Sequence, residues 1–253
     1  TGMTSIKRPH HFDIITVFPE MWQALEYGVI HRAKTQGLWQ PTIWQLRDFA
    51  LKDDGRIDDR PYGGGPGMLM SYQPLANCLA AVQQQRPSTW VIQLDPAGEP
   101  LNHTTMQPLL QKQDITLICG RYEGIDQRFT DLHVDQCISI GPYVLSGGDL
   151  PAMMLVDALV RQLPGALGNE ASKDEDSFQT WLLDHPHYTR PQNIANHPIP
   201  DVLKQGDHQA IHTWRRQQAL GRTWMSAQLA QQRLTPEDIA LLQAYMDNFI
   251  KNH

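Results

Sequence analysis

The stretch that most constrains this fold runs from Thr116 to Met154. Two apolar runs, Thr116–Cys119 and Val134–Ile140, each end in a glycine and open into a loop. The first loop is Gly120-Arg121-Tyr122-Glu123-Gly124, and the second is Gly141-Pro142-Tyr143-Val144-Leu145-Ser146-Gly147-Gly148. Short apolar runs bounded by glycine, each followed by a helical pattern, predict buried parallel strands. In parallel sheets ligands bind beyond the carboxyl ends of the strands, where both loops would lie. The glycines permit positive φ and close backbone approach to a ligand, although any one of them alone would pass for an ordinary tight turn. Taken together, with Tyr122, Glu123 and Tyr143 among them, they point to a cofactor site. Backbone groups there could read an adenine edge, and a carboxylate such as Glu123 could face a cationic ligand.

The rest of the chain supplies the frame. His11–Phe18 predicts a first strand, Pro19 the start of a helix to Tyr27, and Pro41–Leu46 a second strand. Residues 47–67 form a long polar, glycine-rich loop, which without periodicity suggests function or mobility. Helices follow at Gln73–Gln85 and His103–Gln113, a strand at Thr89–Leu94, and a turn at Asp95-Pro96-Ala97-Gly98. A short helix is expected over 124–131. Asp149 is placed to cap a helix that has Pro151 in its first turn and runs to Leu163. Pro164-Gly165 ends that order, and the polar, acidic stretch 168–177 reads as a linker. Beyond it the pattern is helical, over Gly206–Leu220 and again after the capping signature Thr235-Pro236-Glu237-Asp238. At 253 residues and 41% apolar, the chain can bury a sizeable core. The outline is an α/β domain over 1–167, a linker over 168–185 and a small all-helical domain over 186–253.

Several chemistries are disfavoured. There is no GxxxxGK[ST], and Gly63-Gly64-Gly65-Pro66-Gly67 does not fit GxGxxG at a strand–helix turn. No HExxH occurs; His185 and His187, flanking Pro186, read as structural loop residues, and no metal ligand is assigned. Cys78, Cys119 and Cys137 fit buried thiols rather than disulfides. A net charge of −6 argues against a generally basic coat, though the part after 185 is slightly basic and suggests a polyanion-binding role. No apolar run of about 18 residues exists, so no membrane span is expected. The polar start points to a cytoplasmic protein. The acidic groups Asp53, Asp54, Asp58, Asp59 and Asp174, Glu175, Asp176 could hold a metal, could be solvated loop, or could present a general base. Trp214-Arg215-Arg216 and Arg222-Thr223-Trp224 read as core tryptophans with solvent-facing arginines, an RNA-binding surface being the alternative.

Five segments occur together and in order: DDRPYGGGPGM (58–68), CGRYEGID (119–126), SIGPYVLSGGDLPAM (139–153), EAS-x3-DSF (170–178) and LLD-x-PHYTRP (182–191). They resemble the bacterial tRNA (guanine-N1)-methyltransferases of the SPOUT class, over nearly the whole chain. The resemblance implies a mostly parallel α/β sheet with a deep trefoil knot, which nothing in the residues alone would derive. It implies transfer of a methyl group from S-adenosyl-L-methionine to N1 of the guanosine immediately 3′ of the tRNA anticodon, by a homodimer whose active sites are shared between chains. Carried onto matching positions, the cofactor should meet Gly120, Ile140, Gly141, Pro142, Tyr143, Val144 and Leu145. Leu94, Pro96, Glu123, Gly147, Gly148 and Pro151 should be neighbours. Asp176 falls on the family's general base and Arg161 on the residue that stabilises O6, while Asp58 and Ser172 fall on positions that hold the substrate. Mg²⁺ is implied as an accessory to transfer, with no site for it in this sequence. Three departures stand out: Asp54-Gly55 where a basic pair is usual, Asp95-Pro96-Ala97 for Ser-Pro-Gln, and Pro142 for an Asp. The competing classes are an RNA-binding module without catalysis and a metal-dependent phosphohydrolase built on the acidic stretches.

Overall fold

The computed structural model describes residues 8–52, 54–168, 177, 182–226 and 234–252. The sequence-expected residues Asp176 and Ser172 lie outside them. By contacts the chain divides into two compact units, 1–168 and 169–253.

The first unit is built on a five-stranded sheet. In chain order it contains β1 (His10–Thr16), α1 (Gly28–Thr35), β2 (Trp39–Gln45), β3 (Asp58–Asp59), β4 (Leu69–Met70) and α2 (Tyr72–Gln85). These are followed by β5 (Trp90–Pro100), α3 (His103–Leu109), β6 (Asp114–Ile118), α4 (Gln127–His133), β7 (Gln136–Ser139) and α5 (Asp149–Val160). The sheet order is β2-β1-β6-β5-β7, and every neighbouring pair in it is parallel. Parallel sheets are covered on both faces, and here strand alternation splits the core in two. Ile14, Ile92 and Leu117 pack with Trp39 and with Leu155, Val156 and Leu159 of α5. Their neighbours Ile15, Val91 and Ile118 point the other way, onto Leu75, Leu79 and Val82 of α2 and Phe129 of α4. The expected α/β class with a parallel sheet is what forms.

Local expectations needed four revisions. Pro19 opens a 3₁₀ turn, Pro19–Leu25, and the α-helix comes later as α1, which the sequence pattern had not revealed. The polar loop 47–67 is not structureless: Leu46–Phe49 is a 3₁₀ turn, and Asp58–Asp59 pairs antiparallel with Leu69–Met70. Asp95–Gly98 is not a hairpin-like turn but part of β5, where the register with β7 jumps between Leu94 and Glu99. Gly98 allows that irregularity, because a Cβ there would sit 2.6 Å from the backbone of Cys137 and Ile138. Asp149 does not cap α5. Gly148 occupies the N-cap position, and the Asp149 side chain is fully buried.

The second unit holds a short ribbon, β8 (Asn193–Ile194) with β9 (His197–Pro198), and two helices, α6 (His208–Met225) and α7 (Pro236–Asn252). Asp207 caps α6, accepting from the amides of Gln209 and Ala210. The capping signature at α7 forms as expected: Thr235 Oγ1 accepts from the Asp238 amide at 3.1 Å, and Asp238 Oδ2 accepts from the Thr235 amide at 3.4 Å. A small core of Leu182, Ala219, Leu220 and Leu242 joins the helices. Gly221 lets them approach, since a Cβ there would meet the Tyr245 ring at 2.4 Å. The aromatic–arginine clusters are more entangled than their spacing suggests. Arg216 pairs with Asp238 at 2.8 and 2.9 Å, and Trp224 is 37% exposed.

Candidate cofactor site

The carboxyl ends of β5, β6 and β7 open on one edge of the sheet, as parallel strands must, and a cavity of about 320 Å³ lies there. That size falls within the roughly 300–1,000 Å³ of small-molecule sites. Its walls come from three segments. β5 contributes residues 93–97, the loop after β6 contributes 120–125, and β7 with its following loop contributes 138–141, 143–145, 147 and 148. Pro151 of α5 also lines it. Of the positions expected to meet a cofactor, Leu94, Pro96, Gly120, Glu123, Ile140 and Gly141 all face this one space, as do Tyr143, Val144, Leu145, Gly147, Gly148 and Pro151. Pro142 is exposed and is not among the lining residues.

The two loops are locked together. The Gly148 amide donates to the Gly120 carbonyl at 2.8 Å, and a Cβ on Gly148 would stand 2.8 Å from the Gly120 nitrogen. Close approach, rather than positive φ, is therefore why glycine stands at 148. Left-handed backbone is instead carried by Gly124, at φ +134°, and by Tyr122, at φ +59°. A non-glycine residue in that region is uncommon and marks a constrained loop. The β3–β4 ribbon braces the same loop from outside: the Glu123 amide donates to the Met68 carbonyl and the Met70 amide to the Gly124 carbonyl.

Arg121, which the sequence reading left without a role, and Asp149, which it read as a helix cap, together organise this corner. Arg121 Nε and Nη2 donate to Asp149 Oδ2 at 3.0 and 2.7 Å. Asp149 Oδ1 also accepts from Thr16 Oγ1 and from Trp22 Nε1. Arg121 Nη1 reaches the Ser146 carbonyl at 3.3 Å, and its guanidinium lies 4.4 Å over the Phe18 ring. The pair thus ties the loop after β6 to the loop after β7, to the start of α5 and to the end of β1. Both residues stand inside the long motifs, but their pairing across 28 positions leaves no local signal.

The charged residues lining the cavity are Asp95, Glu123 and Arg121, and the thiols nearby are not nucleophilic. Asp95 Oδ1 accepts from the Ala97 amide at 2.8 Å, a local bond within the irregular stretch of β5 where Asp95-Pro96-Ala97 departs from Ser-Pro-Gln. Burial, with the negative charge of Asp149, pushes the Cys119 thiol well above its ordinary value. Burial and then Asp95 raise Cys137 as well. Both stay protonated near neutrality, so thiolate chemistry is disfavoured. Asp58 and Arg161 do not line the cavity: Asp58 is in β3, and Arg161 is at the C-terminal end of α5. Among the described residues the acidic loop 54–59 forms no metal-ligand cluster.

A family profile described as tRNA (Guanine-1)-methyltransferase TrmD matches residues 10–232. The chain belongs to this family. A tRNA (guanine-N(1)-)-methyltransferase of Pseudomonas savastanoi pv. phaseolicola is 50% identical over 238 residues, covering 92% of this chain and 95% of the relative. The Coxiella burnetii (strain Dugway 5J108-111) relative of the same name is 46% identical over 237 residues, 92% and 96% of the two chains. The crystal structure of the tRNA (m1G37) methyltransferase from Aquifex aeolicus superposes with a TM-score of 0.73 at 32% identity, over 87% of this chain and 94% of that one. Membership carries the enzyme class with it, an S-adenosylmethionine-dependent tRNA methyltransferase with the knotted SPOUT-class fold.

Proposed function

We propose that this enzyme methylates N1 of the guanosine immediately 3′ of the tRNA anticodon, a modification that maintains the reading frame. The observation that carries the reading is the cavity at the ends of β5, β6 and β7, with five glycines of the two loops in its wall, in a chain of this family. Bound there, S-adenosylmethionine supplies an electrophilic methyl group on a sulfonium. The cavity fits it in volume and in charge, with the Asp95 and Glu123 carboxylates in the wall to favour a cationic ligand. Backbone groups of the 140–145 segment suit the adenine edge, and Pro142 would act only by shaping that segment.

Neutral guanine carries a proton on N1, and attack on a methyl group requires its removal. Asp176 is the base in this reading. As that proton leaves, negative charge gathers on O6, and Arg161 stabilises it. Asp58 and Ser172 hold the guanosine and its neighbour, which must leave the stack to be reached. The division of labour follows the chain: 1–167 binds the cofactor, 168–185 carries the base, and 186–253 binds tRNA in the cytoplasm.

Arg161 also speaks for a shared site. It lies ten residues beyond Pro151 on α5, about 15 Å along a helix axis, so it does not reach its own cavity. A homodimer, in which one chain lends the cavity and its partner lends Arg161 and Asp176, removes the difficulty. The exposed side chains of α5, Leu150 at 47% and Met154 at 50%, suit such an interface.

The test is methyl transfer from labelled S-adenosylmethionine to tRNA transcripts. One transcript carries guanosine 3′ of the anticodon preceded by a second guanosine; the control carries adenosine at the target. Transfer to the first alone, mapped to N1, is expected. Equal labelling of both transcripts, or label mapped to another guanine atom, would refute the assignment. Asp176→Ala should abolish transfer while cofactor binding persists, and turnover like that of the wild type would remove Asp176 from the mechanism.

A further inference from the structure

Before α6 the chain runs Asp184-His185-Pro186-His187, within the 182–191 motif, and the methyl-transfer reading gives none of these side chains a role of its own. We propose that Asp184, His185 and His187 form a binding site for a divalent transition-metal ion of the zinc class, with His185 Nε2 as its buried anchor. The three side chains bring one ligand atom each within 4.8 Å of one another.

His185 decides the matter. It is only 8% exposed, and its Nε2 is buried with no hydrogen-bond partner among the described residues. Its Nδ1 lies 3.1 Å from the Pro186 carbonyl. A carbonyl can only accept, so Nδ1 carries the hydrogen and, in the neutral ring, Nε2 presents a bare lone pair. A buried lone pair without a donor is costly, and a cation satisfies it. A backbone carbonyl holding the other ring nitrogen is also how metal-bound histidines are oriented.

The remaining geometry agrees. Asp184 Oδ1 is 3.8 Å from His185 Nε2, and Asp184 Oδ2 is 2.8 Å from His187 Nε2. These distances straddle the roughly 3.3 Å between ligand atoms of a tetrahedral site with bonds of about 2.0–2.1 Å. Asp184 is itself held, its amide donating to Ser177 Oγ and its carbonyl accepting from Arg222 Nη1. The His185 ring packs 6.2 Å from Trp214 of α6. A set of two imidazoles and one carboxylate suits zinc and not the hard cations Mg²⁺ or Ca²⁺. On binding, the ion takes the place of the hydrogen between His187 Nε2 and Asp184, and that proton moves through solvent to His187 Nδ1, so the ring stays neutral in its other tautomer. The fourth position, on the exposed His187 side, is left to water.

The test uses the full chain, stripped with a chelator and titrated with Zn²⁺ against a chromophoric competitor at pH 7.5. One equivalent per chain is expected, with the melting temperature rising on zinc and not on Mg²⁺. His187→Ala, which removes an exposed ring and leaves the fold intact, should weaken that equivalent at least tenfold, and His185→Asn should do the same. His197→Ala, exposed and outside the cluster, should leave it unchanged. A chain that holds no zinc against the competitor overturns the proposal. So does an equivalent that His187→Ala leaves intact, which would place the ion elsewhere.

Discussion

Asp149→Ala is the most informative single perturbation of the cofactor corner. The carboxylate is fully buried and accepts two bonds from Arg121 and one each from Thr16 and Trp22. Removing it leaves the Arg121 guanidinium, whose side chain is only 15% exposed, with the Ser146 carbonyl, a Met21 sulfur and the Phe18 face. Breaking a buried ion pair from one side costs about 3–5 kcal/mol. Against a typical stability of about 5–15 kcal/mol that is a large share. At about 2–4 °C per kcal/mol for a domain of this size, the melting temperature should fall by roughly 6–20 °C. Urea unfolding at neutral pH measures the loss directly, and calorimetric titration with S-adenosylmethionine should show weaker binding, because Arg121 also holds the 141–148 loop. Replacing both partners, with Arg121→Met and Asp149→Leu together, should cost clearly less than the two single changes summed, since no uncompensated charge then remains. A loss under about 1 kcal/mol for Asp149→Ala, or strict additivity of the pair, would show that the clasp contributes little and that the loops are held by backbone contacts alone.

Gly148→Ala puts a methyl group 2.8 Å from a backbone nitrogen; a loss of about 1–3 kcal/mol and weaker cofactor binding are expected, and wild-type values in both assays would contradict the close approach. Mixing Asp176→Ala with Gly148→Ala protomers should restore about one working site per heterodimer, and no recovery of methyl transfer would count against shared sites. The Arg216 bond holds the Asp238 carboxyl below its usual range, outweighing its partial burial. A depressed folded pKa stabilises above the unfolded value of about 3.9 and is lost as pH falls through the lower folded value. Acid unfolding of the second unit, followed between pH 5 and 2, should therefore flatten in Asp238→Asn; an unchanged slope would assign the acid sensitivity to other carboxylates.

Much of this protein was legible in the amino-acid order. Short continuous apolar runs ended by glycine mark parallel strands, because strands covered on both faces are apolar on both sides. The loops after them had to converge, since parallel strands deliver their carboxyl ends to one edge. The capping pair Thr235 and Asp238 was readable because its partners are three residues apart. Where the partners are distant in the chain, the sequence was silent. Arg121 and Asp149 are 28 residues apart, and nothing local marks either as half of a clasp. Asp149 looked like a cap because Asp before an apolar run usually is one; the tertiary fold brought Arg121, Thr16 and Trp22 around it and drew it inward. Gly98 read as a turn residue and Gly148 as a loop glycine that lets a ligand approach, yet the structure uses both for close contact between chain segments. His185 and His187 passed for loop residues until burial showed one ring nitrogen without a partner among the described residues. Order along the chain set the strands, the loops and the family. Close packing decided which polar groups meet, because burial and distance between remote segments exist only after the chain has folded.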